Sequence, residues 1–425
     1  MEPGHRRMAI VVTLIVVAVT VGAVAYMRGD GRGVPPPNDQ AAGDLGNFTD
    51  ASGGLPQTGD YFSVVLADLD GDGHDDLVAS AGQNGGTVDT HGIHAYLYDG
   101  SGGWKEASDG LPTTTYTFGG VAVADLDGDG RPDIVAPTEG WSGSGDLGVT
   151  VHLNRLSASG GISWVDGPVP VGSGYYHQAI VTDLNGDGLA DIAAAGRDDG
   201  VRAWLGGRGQ AGALTWTEAS AGLPSRGQWI SVAAADLDGD GKVDIAATPY
   251  TSASPEVRIY IGDGTGRWTA RSGAMPRTSH IPIMVAIADV NADSRPDLVV
   301  SLRDDGLACF LGSGLGDALT FTAASAGLPT RGGCYQVAIG DLDMDGHLDI
   351  LAACIDRGLE LYLGGIAPAG GWEWSRVGLH LPEGSYSGAA LGDIDGDGVL
   401  DVAGGQWGTS SEGGLQALLG HMNRE

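Results

Sequence analysis

Short runs of small apolar residues recur along this chain, each ending in a turn dense in Asp and Gly, and no window between residues 45 and 420 sustains a helical period. Val64-Val65-Leu66-Ala67, Val121-Ala122-Val123-Ala124, Val232-Ala233-Ala234-Ala235 and Val285-Ala286-Ile287-Ala288 are four of these runs. Their length and the turn signals around them predict strands, and side chains this small suit innermost strands crowded near an axis. A second strand comes after each turn, opened by Leu77, Ile134, Ile192, Ile245, Leu298, Ile350 or Val402. A third is read at residues 201–206 and 359–364. The fourth begins with an aromatic (Phe48, Trp104, Trp164, Trp216, Trp268, Phe321, Trp374), expected to pack between units, and ends in a turn whose fullest form is Gly-Leu-Pro. Four strands per period make one propeller blade.

The first aspartates of the turns are Asp68, Asp125, Asp183, Asp236, Asp289, Asp341 and Asp393, at intervals of 57, 58, 53, 53, 52 and 52 residues. A period near fifty is that of a propeller. Phe48-Thr-Asp-Ala-Ser-Gly-Gly-Leu-Pro56 is a fourth strand lying before any first strand, and residues 414–420 are a third strand with no fourth after it. The N-terminal strand is therefore expected to complete the seventh blade, which leaves no open sheet edge. The expectation is an all-β, seven-bladed propeller over residues 45–420, with a short tail, 421–425.

Each turn carries oxygen ligands at its first, third, fifth and ninth positions. They are Asp68, Asp70, Asp72 and Asp76; Asp125, Asp127, Asp129 and Asp133; Asp183, Asn185, Asp187 and Asp191; Asp236, Asp238, Asp240 and Asp244; Asp289, Asn291, Asp293 and Asp297; Asp341, Asp343, Asp345 and Asp349; and Asp393, Asp395, Asp397 and Asp401. The second position is always aliphatic, and the sixth is glycine except for Ser294. A hard, oxygen-seeking cation needs such a set, with a carbonyl at position seven to complete it, so about seven structural Ca²⁺ are expected. The opening is like an EF-hand loop, but that loop closes with Glu at position twelve between helices, and this one with Asp at nine between strands. Glycine at position six permits positive φ, so Ser294 marks the fifth turn as the weakest site.

The net charge of −32 invites a reading as an acidic surface that repels nucleic acid. The seven turns hold 26 of the 54 acidic residues, which leaves 28 against 22 Lys and Arg. Seven bound divalent ions would bring −32 to −18, so most of the acidity is a metal inventory.

With Phe118-Gly119 before the second turn, Val135-Ala136-Pro137 after it, and Gly340-Asp341 and Gly392-Asp393 opening two others, the repeats resemble the FG-GAP/VCBS family found in integrin α-chain head domains and many exported microbial proteins. The resemblance spans residues 45–420. It implies a seven-bladed propeller with calcium between first and second strands, and leaves the ligand open, because fold is not function.

Residues 1–7 include His5, Arg6 and Arg7, and residues 8–27 are an uncharged stretch of twenty. That length spans a bilayer as a helix, and the positive-inside rule places the chain beyond residue 28 on the outer side. Ala23-Val24-Ala25 supplies a possible signal-peptide cleavage site instead, giving a secreted protein. Residues 28–44 are a Gly/Pro-rich linker, and their Arg28-Gly29-Asp30 tripeptide reads as coincidence beside the membrane. Cys334 and Cys354 flank the sixth turn on strands expected to pair. A disulfide between them and three small buried residues, Cys309 included, are both open.

There is no H-E-x-x-H, P-loop or nucleophile elbow, and no catalytic residue is assigned. Function is sought opposite the acidic turns, where the other loops gather. Candidate ligand contacts there are Tyr61, Tyr176, Trp229 and Tyr386, seven residues before a first aspartate, with Arg197, Arg303, Arg357, Trp141 and Trp407 after second strands. Packing is the competing role for the four rings. The expected function is an exported, membrane-anchored, non-enzymatic binding or adhesion module for an extracellular protein or glycan. The alternative is a glycan-active protein, a lectin or a polysaccharide lyase or hydrolase, using that same face.

Overall fold

The computed structural model describes residues 45–82, 91–114, 119–138, 147–157, 161–251, 255–378, 381–407 and 413–422. They form seven four-stranded antiparallel sheets. The innermost strands are Tyr61–Ala67, Ala122–Ala124, Tyr176–Thr182, Trp229–Ala235, Pro282–Ala288, Cys334–Gly340 and Tyr386–Gly392. The N-terminal strand Thr49–Asp50 pairs with Leu415–Leu419, Thr49 opposite Leu419, and so supplies the outer strand of the seventh blade. The blade count and the ring closure are those expected. Residues 8–27 lie outside the described residues, among which no helix is long and apolar enough to cross a membrane.

A recurrent Ala-Ser-x-Gly-Leu-Pro segment after the fourth strand explains how blades lock together. Its alanine carbonyl accepts the indole N–H of the next blade: Trp104 on Ala51 at 2.8 Å, Trp164 on Ala107 at 2.9 Å, Trp268 on Ala219 at 2.8 Å and Trp374 on Ala324 at 3.0 Å. Its serine hydroxyl accepts a third-strand N–H of its own blade, as Ser108 does from Ala95 at 3.1 Å and Ser325 from Cys309 at 2.9 Å. A Cβ on Gly54, Gly110, Gly222 or Gly327 would stand 1.8–2.3 Å from the carbonyl oxygen of the same tryptophan, so only glycine lets the two backbones meet. These indoles are buried, which gives them the packing role expected of the aromatic series.

Near the axis, neighbouring first strands are tied by side chains. Gln178 Oε1 accepts the Val232 N–H at 3.0 Å, Ser231 Oγ that of Val285 at 3.2 Å, and Gln336 Oε1 that of Ala389 at 3.1 Å. Alanine and valine dominate these strands because larger residues would not fit where blades converge.

Candidate functional site

The acidic hairpins joining first and second strands share one construction. In the first, Asp68 accepts the N–H groups of Gly71, Asp72 and Gly73 at 2.7, 3.1 and 3.0 Å. Asp70 accepts from Asp72 at 3.2 Å and Asp72 from His74 at 2.9 Å. Asp76 is held differently: one oxygen accepts the Leu69 N–H at 2.9 Å and the other the Tyr98 N–H of the third strand, also at 2.9 Å. All seven ninth-position aspartates repeat this double bond, as Asp191 does with Leu184 and Gly206, and Asp401 with Ile394 and Gly420. They therefore staple the hairpin to its own blade as well as offering oxygen to a cation.

Burial pushes these carboxyls up against the pull of the two N–H donors, to about 8 in Asp76, Asp349 and Asp401, about 7 in Asp191, Asp244 and Asp297, and about 6 in Asp133. Such values belong to carboxyls without a counter-charge, and an adjacent cation would hold them ionised.

Oxygens from positions one, three and nine converge to within 4.8 Å of one another in Asp68/Asp70/Asp76, Asp125/Asp127/Asp133, Asp236/Asp238/Asp244, Asp341/Asp343/Asp349 and Asp393/Asp395/Asp401. The third and fifth hairpins have Asn185 and Asn291 at position three, whose carbonyl oxygens stand in for a carboxylate. The fifth-position acids Asp72, Asp129, Asp187, Asp240, Asp293, Asp345 and Asp397 stand outside these converging groups and accept the position-seven N–H, as Asp187 does from Leu189 at 2.9 Å. In the seventh hairpin, Asp393 Oδ1 is buried with no hydrogen-bond donor, the situation a cation relieves. Oxygen-only donors with an orphaned carboxylate oxygen fit a calcium ion there. Positive φ is adopted at two positions per hairpin rather than one: Gly71 and Gly73 have φ of 82° and 93°, while Ala292, Ser294 and Met344 adopt 56°, 66° and 57° without being glycine.

On the opposite face the structure corrects part of the expectation. Tyr61, Tyr176, Trp229 and Tyr386 are buried, the packing role, and none offers its ring to a ligand. Trp141 lies outside the described residues. The residues after the first three of these rings, Phe62, His177 and Ile230, are only half-buried, whereas Ser387 is buried and donates its hydroxyl to the Tyr61 carbonyl at 2.9 Å. Six of the seven first strands carry a bulge there, at Phe62, His177, Ile230, Ile283, Tyr335 and Ser387, and bulges re-aim side chains. Interleaved with them are the residues just past the second strands. The N–H groups of Arg197, Tyr250, Arg303, Ile355 and Trp407 all donate to the loop that enters the neighbouring first strand, at 2.8–3.0 Å.

The result is a ring of aromatics and arginines around the axis, of which Phe62, Tyr250, Tyr335, Arg197 and Trp407 are half-buried and Arg303 is exposed. Trp407 meets Tyr335 at 5.2 Å and Phe62 at 6.0 Å between ring centres. Arg303 lies over Tyr250 at 5.6 Å, and Arg197 over Tyr175 at 5.3 Å. Of the expected contacts, Arg197, Arg303 and Trp407 belong to this ring, whereas Phe62, Tyr250 and Tyr335 were missed. Phe62 and Tyr335 are the second residues of first strands and Tyr250 follows a second strand, and nothing local in the sequence marks the bulge.

Arg357 lies elsewhere, in a cavity of about 970 Å³ on the sixth blade. There the buried Glu360 accepts from Tyr362 at 2.7 Å and pairs with Arg376 at 3.0 Å and Arg357 at 3.3 Å. Beside it Cys334 and Cys354, opposed in register with Cα atoms 4.1 Å apart, form a disulfide, and Arg357 Nη2 lies 3.2 Å from Cys334 Sγ. Cys309 is the buried free thiol.

No curated protein matches this chain in sequence. Among solved structures, YCF48 from Cyanidioschyzon merolae aligns at a TM-score of 0.50 with 15% identity, over 88% of this chain and 98% of that one. The K499G mutant of NanB sialidase from Streptococcus pneumoniae aligns at 0.46 with 12% identity, over 91% and 71%. At 15% identity the likeness to YCF48 is one of fold. The FG-GAP-like repeat family matches residues 81–136, 183–247, 289–352 and 345–404, and the FG-GAP repeat matches 61–96. With more than half the chain matched, and with its acidic hairpins between first and second strands, this propeller belongs to the FG-GAP repeat family.

Proposed function

We propose that this protein is an exported, membrane-anchored binding module whose hairpins hold calcium for rigidity and whose axial mouth, on the opposite face, receives a protein or glycan ligand. The observation that carries the reading is the bulged ring of Phe62, Tyr335, Trp407, Tyr250 and Arg303, which gathers side chains from five blades at one place. Aromatic faces beside guanidinium groups stack on sugar rings or seat a protein loop. The hairpins suit a structural ion, because their own oxygens surround it and leave little room for substrate. Export and anchoring rest on residues 8–27 and their basic flank.

The test is a glycan array, with binding to candidate extracellular proteins alongside, using the full chain and the variant Trp407→Ala. Binding lost in the variant with unchanged melting supports the mouth. Equal binding by both overturns it. Cleavage of a polysaccharide by the purified protein would replace the non-enzymatic reading with a glycan-active one.

A further inference from the structure

The second hairpin, Asp125 to Asp133, has the full set of four aspartates in sequence and a different environment in space. The Arg155 guanidinium, from the third strand Val149–Leu156 of the same blade, bonds the third- and fifth-position carboxylates at once: Nη2 to Asp127 Oδ2, and Nη1 to Asp129 Oδ2 at 2.9 Å. Nη1 is also fixed by the Asn154 carbonyl at 2.8 Å. Arg131 takes the same Asp129 oxygen from the other side, and its Nε lies 3.3 Å from the Asn154 carbonyl. A third arginine, Arg208 of the following blade, donates to the Leu126 carbonyl at 3.0 Å, and one of its nitrogens is 3.3 Å from where a Cβ on Gly128 would stand. Two guanidinium groups thus bond two of the four carboxylates, and a third holds the loop's backbone.

No other hairpin is built this way among the described residues. Lys242, Arg295 and His347 each pair only with the fifth-position acid of their own loop, at 2.7, 3.9 and 3.2 Å. The positions equivalent to Arg155, one past the residue that donates to the ninth aspartate, are Asp99, Gly207, Asp263, Ser313, Gly365 and His421. His421, the one that is not acidic or small, bonds Thr49 at 2.8 Å instead. A guanidinium on the third-position carboxylate opposes a divalent ion twice, by occupying its ligand oxygens and by like-charge repulsion at close range.

We propose that Arg155 takes the place of the cation in the second hairpin, so that this propeller holds calcium in six hairpins and clamps the remaining one by its own side chain. The inference rests on the calcium reading of the other hairpins. Its consequence is a blade whose rigidity does not depend on the calcium concentration outside the cell.

Native mass spectrometry of the full chain at saturating calcium counts the ions. The expected counts are six for the natural protein, seven for Arg155→Ala, six for Asp127→Ala and five for Asp238→Ala in the fourth hairpin. Seven ions on the natural protein, or a loss of one ion in Asp127→Ala, overturns the inference while leaving calcium binding intact. If Arg155→Ala does not fold, the Asp127→Ala and Asp238→Ala pair decides alone, because only the second hairpin should be indifferent to losing its third-position oxygen ligand. A count of zero throughout overturns the calcium reading itself, and this inference with it.

Discussion

Asp75 and Asp393 bond each other across the seam where the ring closes: the Asp393 N–H donates to Asp75 Oδ2 at 2.8 Å, and the Asp75 N–H donates to the Asp393 carbonyl at 3.1 Å. This is the most elaborate of a set of latches in which one blade grips the hairpin of the blade before it. Asn154 holds the Leu69 carbonyl at 2.8 Å, Gly316 that of Asp238 at 2.7 Å, and Leu348 that of Val290 at 3.2 Å. At the seam the latch comes from residues 318 positions apart in sequence. Asp75→Ala removes the acceptor from a buried N–H, which costs about 1–3 kcal/mol. Thermal unfolding should show that loss, and a variant melting with the natural protein would show that the seam is held elsewhere.

Deleting residues 45–56 should do more. It removes the outer strand of the seventh blade, the Ser52 hydroxyl that accepts the Ala417 N–H at 3.1 Å, and the Ala51 carbonyl that holds the Trp104 indole. An exposed edge at Leu415–Leu419 then invites pairing between molecules. The shortened chain is expected to melt lower and to aggregate on heating, as read by light scattering during a thermal ramp.

Stability should respond to pH in opposite senses with and without calcium. The ninth-position carboxyls have folded values raised to between about 6 and about 8, so without metal the folded state binds more protons than the unfolded one above the ordinary carboxyl value near 4. Stability in EDTA is then greatest at low pH and falls as pH rises through that window. Bound calcium requires the ionised carboxylates and adds stability by mass action, so its stabilisation should be small near pH 4 and grow to a plateau above pH 8. Melting curves across this range, in EDTA and in excess calcium, test both slopes. Parallel curves would remove the hairpins as metal sites.

The fifth hairpin holds two non-glycine residues in the left-handed region, Ala292 at φ 56° and Ser294 at 66°. Each costs roughly 1–2 kcal/mol, and glycine returns about 0.5–1 kcal/mol of that through the freer unfolded chain. Ala292→Gly and Ser294→Gly should therefore each stabilise by about 0.5–1 kcal/mol and should tighten the weakest calcium site. Denaturant titration with calorimetry of calcium binding reads both effects.

Reducing the Cys334–Cys354 disulfide opens a loop with a sequence separation of 20 residues. The chain entropy released by such a loop is worth about 3 kcal/mol. The measured loss should be no larger than this, because the two strands remain hydrogen-bonded. Unfolding of Cys334→Ser/Cys354→Ser against the natural protein gives the value.

The legible part of the site was its composition. Position by position, the hairpin ligands could be named because each is within nine residues of the others. That the fifth-position acids accept the position-seven N–H, and that the ninth bonds a strand 15 to 22 residues further on, depends on how the hairpin folds back on its blade. The rings of Tyr61 and Tyr386 suit either core or ligand from the sequence, with packing the favoured role, because a strand residue at a sheet end faces either way until a bulge decides. Here the rings are buried, and at the bulges Phe62 meets Trp407 while the Ser387 hydroxyl donates to the Tyr61 carbonyl.

What the sequence determined alone is what repeats: strand, acidic hairpin, four strands to a blade, seven blades, and an N-terminal strand with the pattern of a missing fourth. Each is a local pattern, set by side-chain size, glycine freedom and ligand spacing within one period, and repetition makes the local rule visible. The tertiary structure decided what joins unlike positions. Trp407 against Tyr335, Trp407 against Phe62 and Asp393 on Asp75 are contacts between blades that no period relates. Their partners are chosen by the packing of blades around a common axis, and that geometry exists only once the ring has closed.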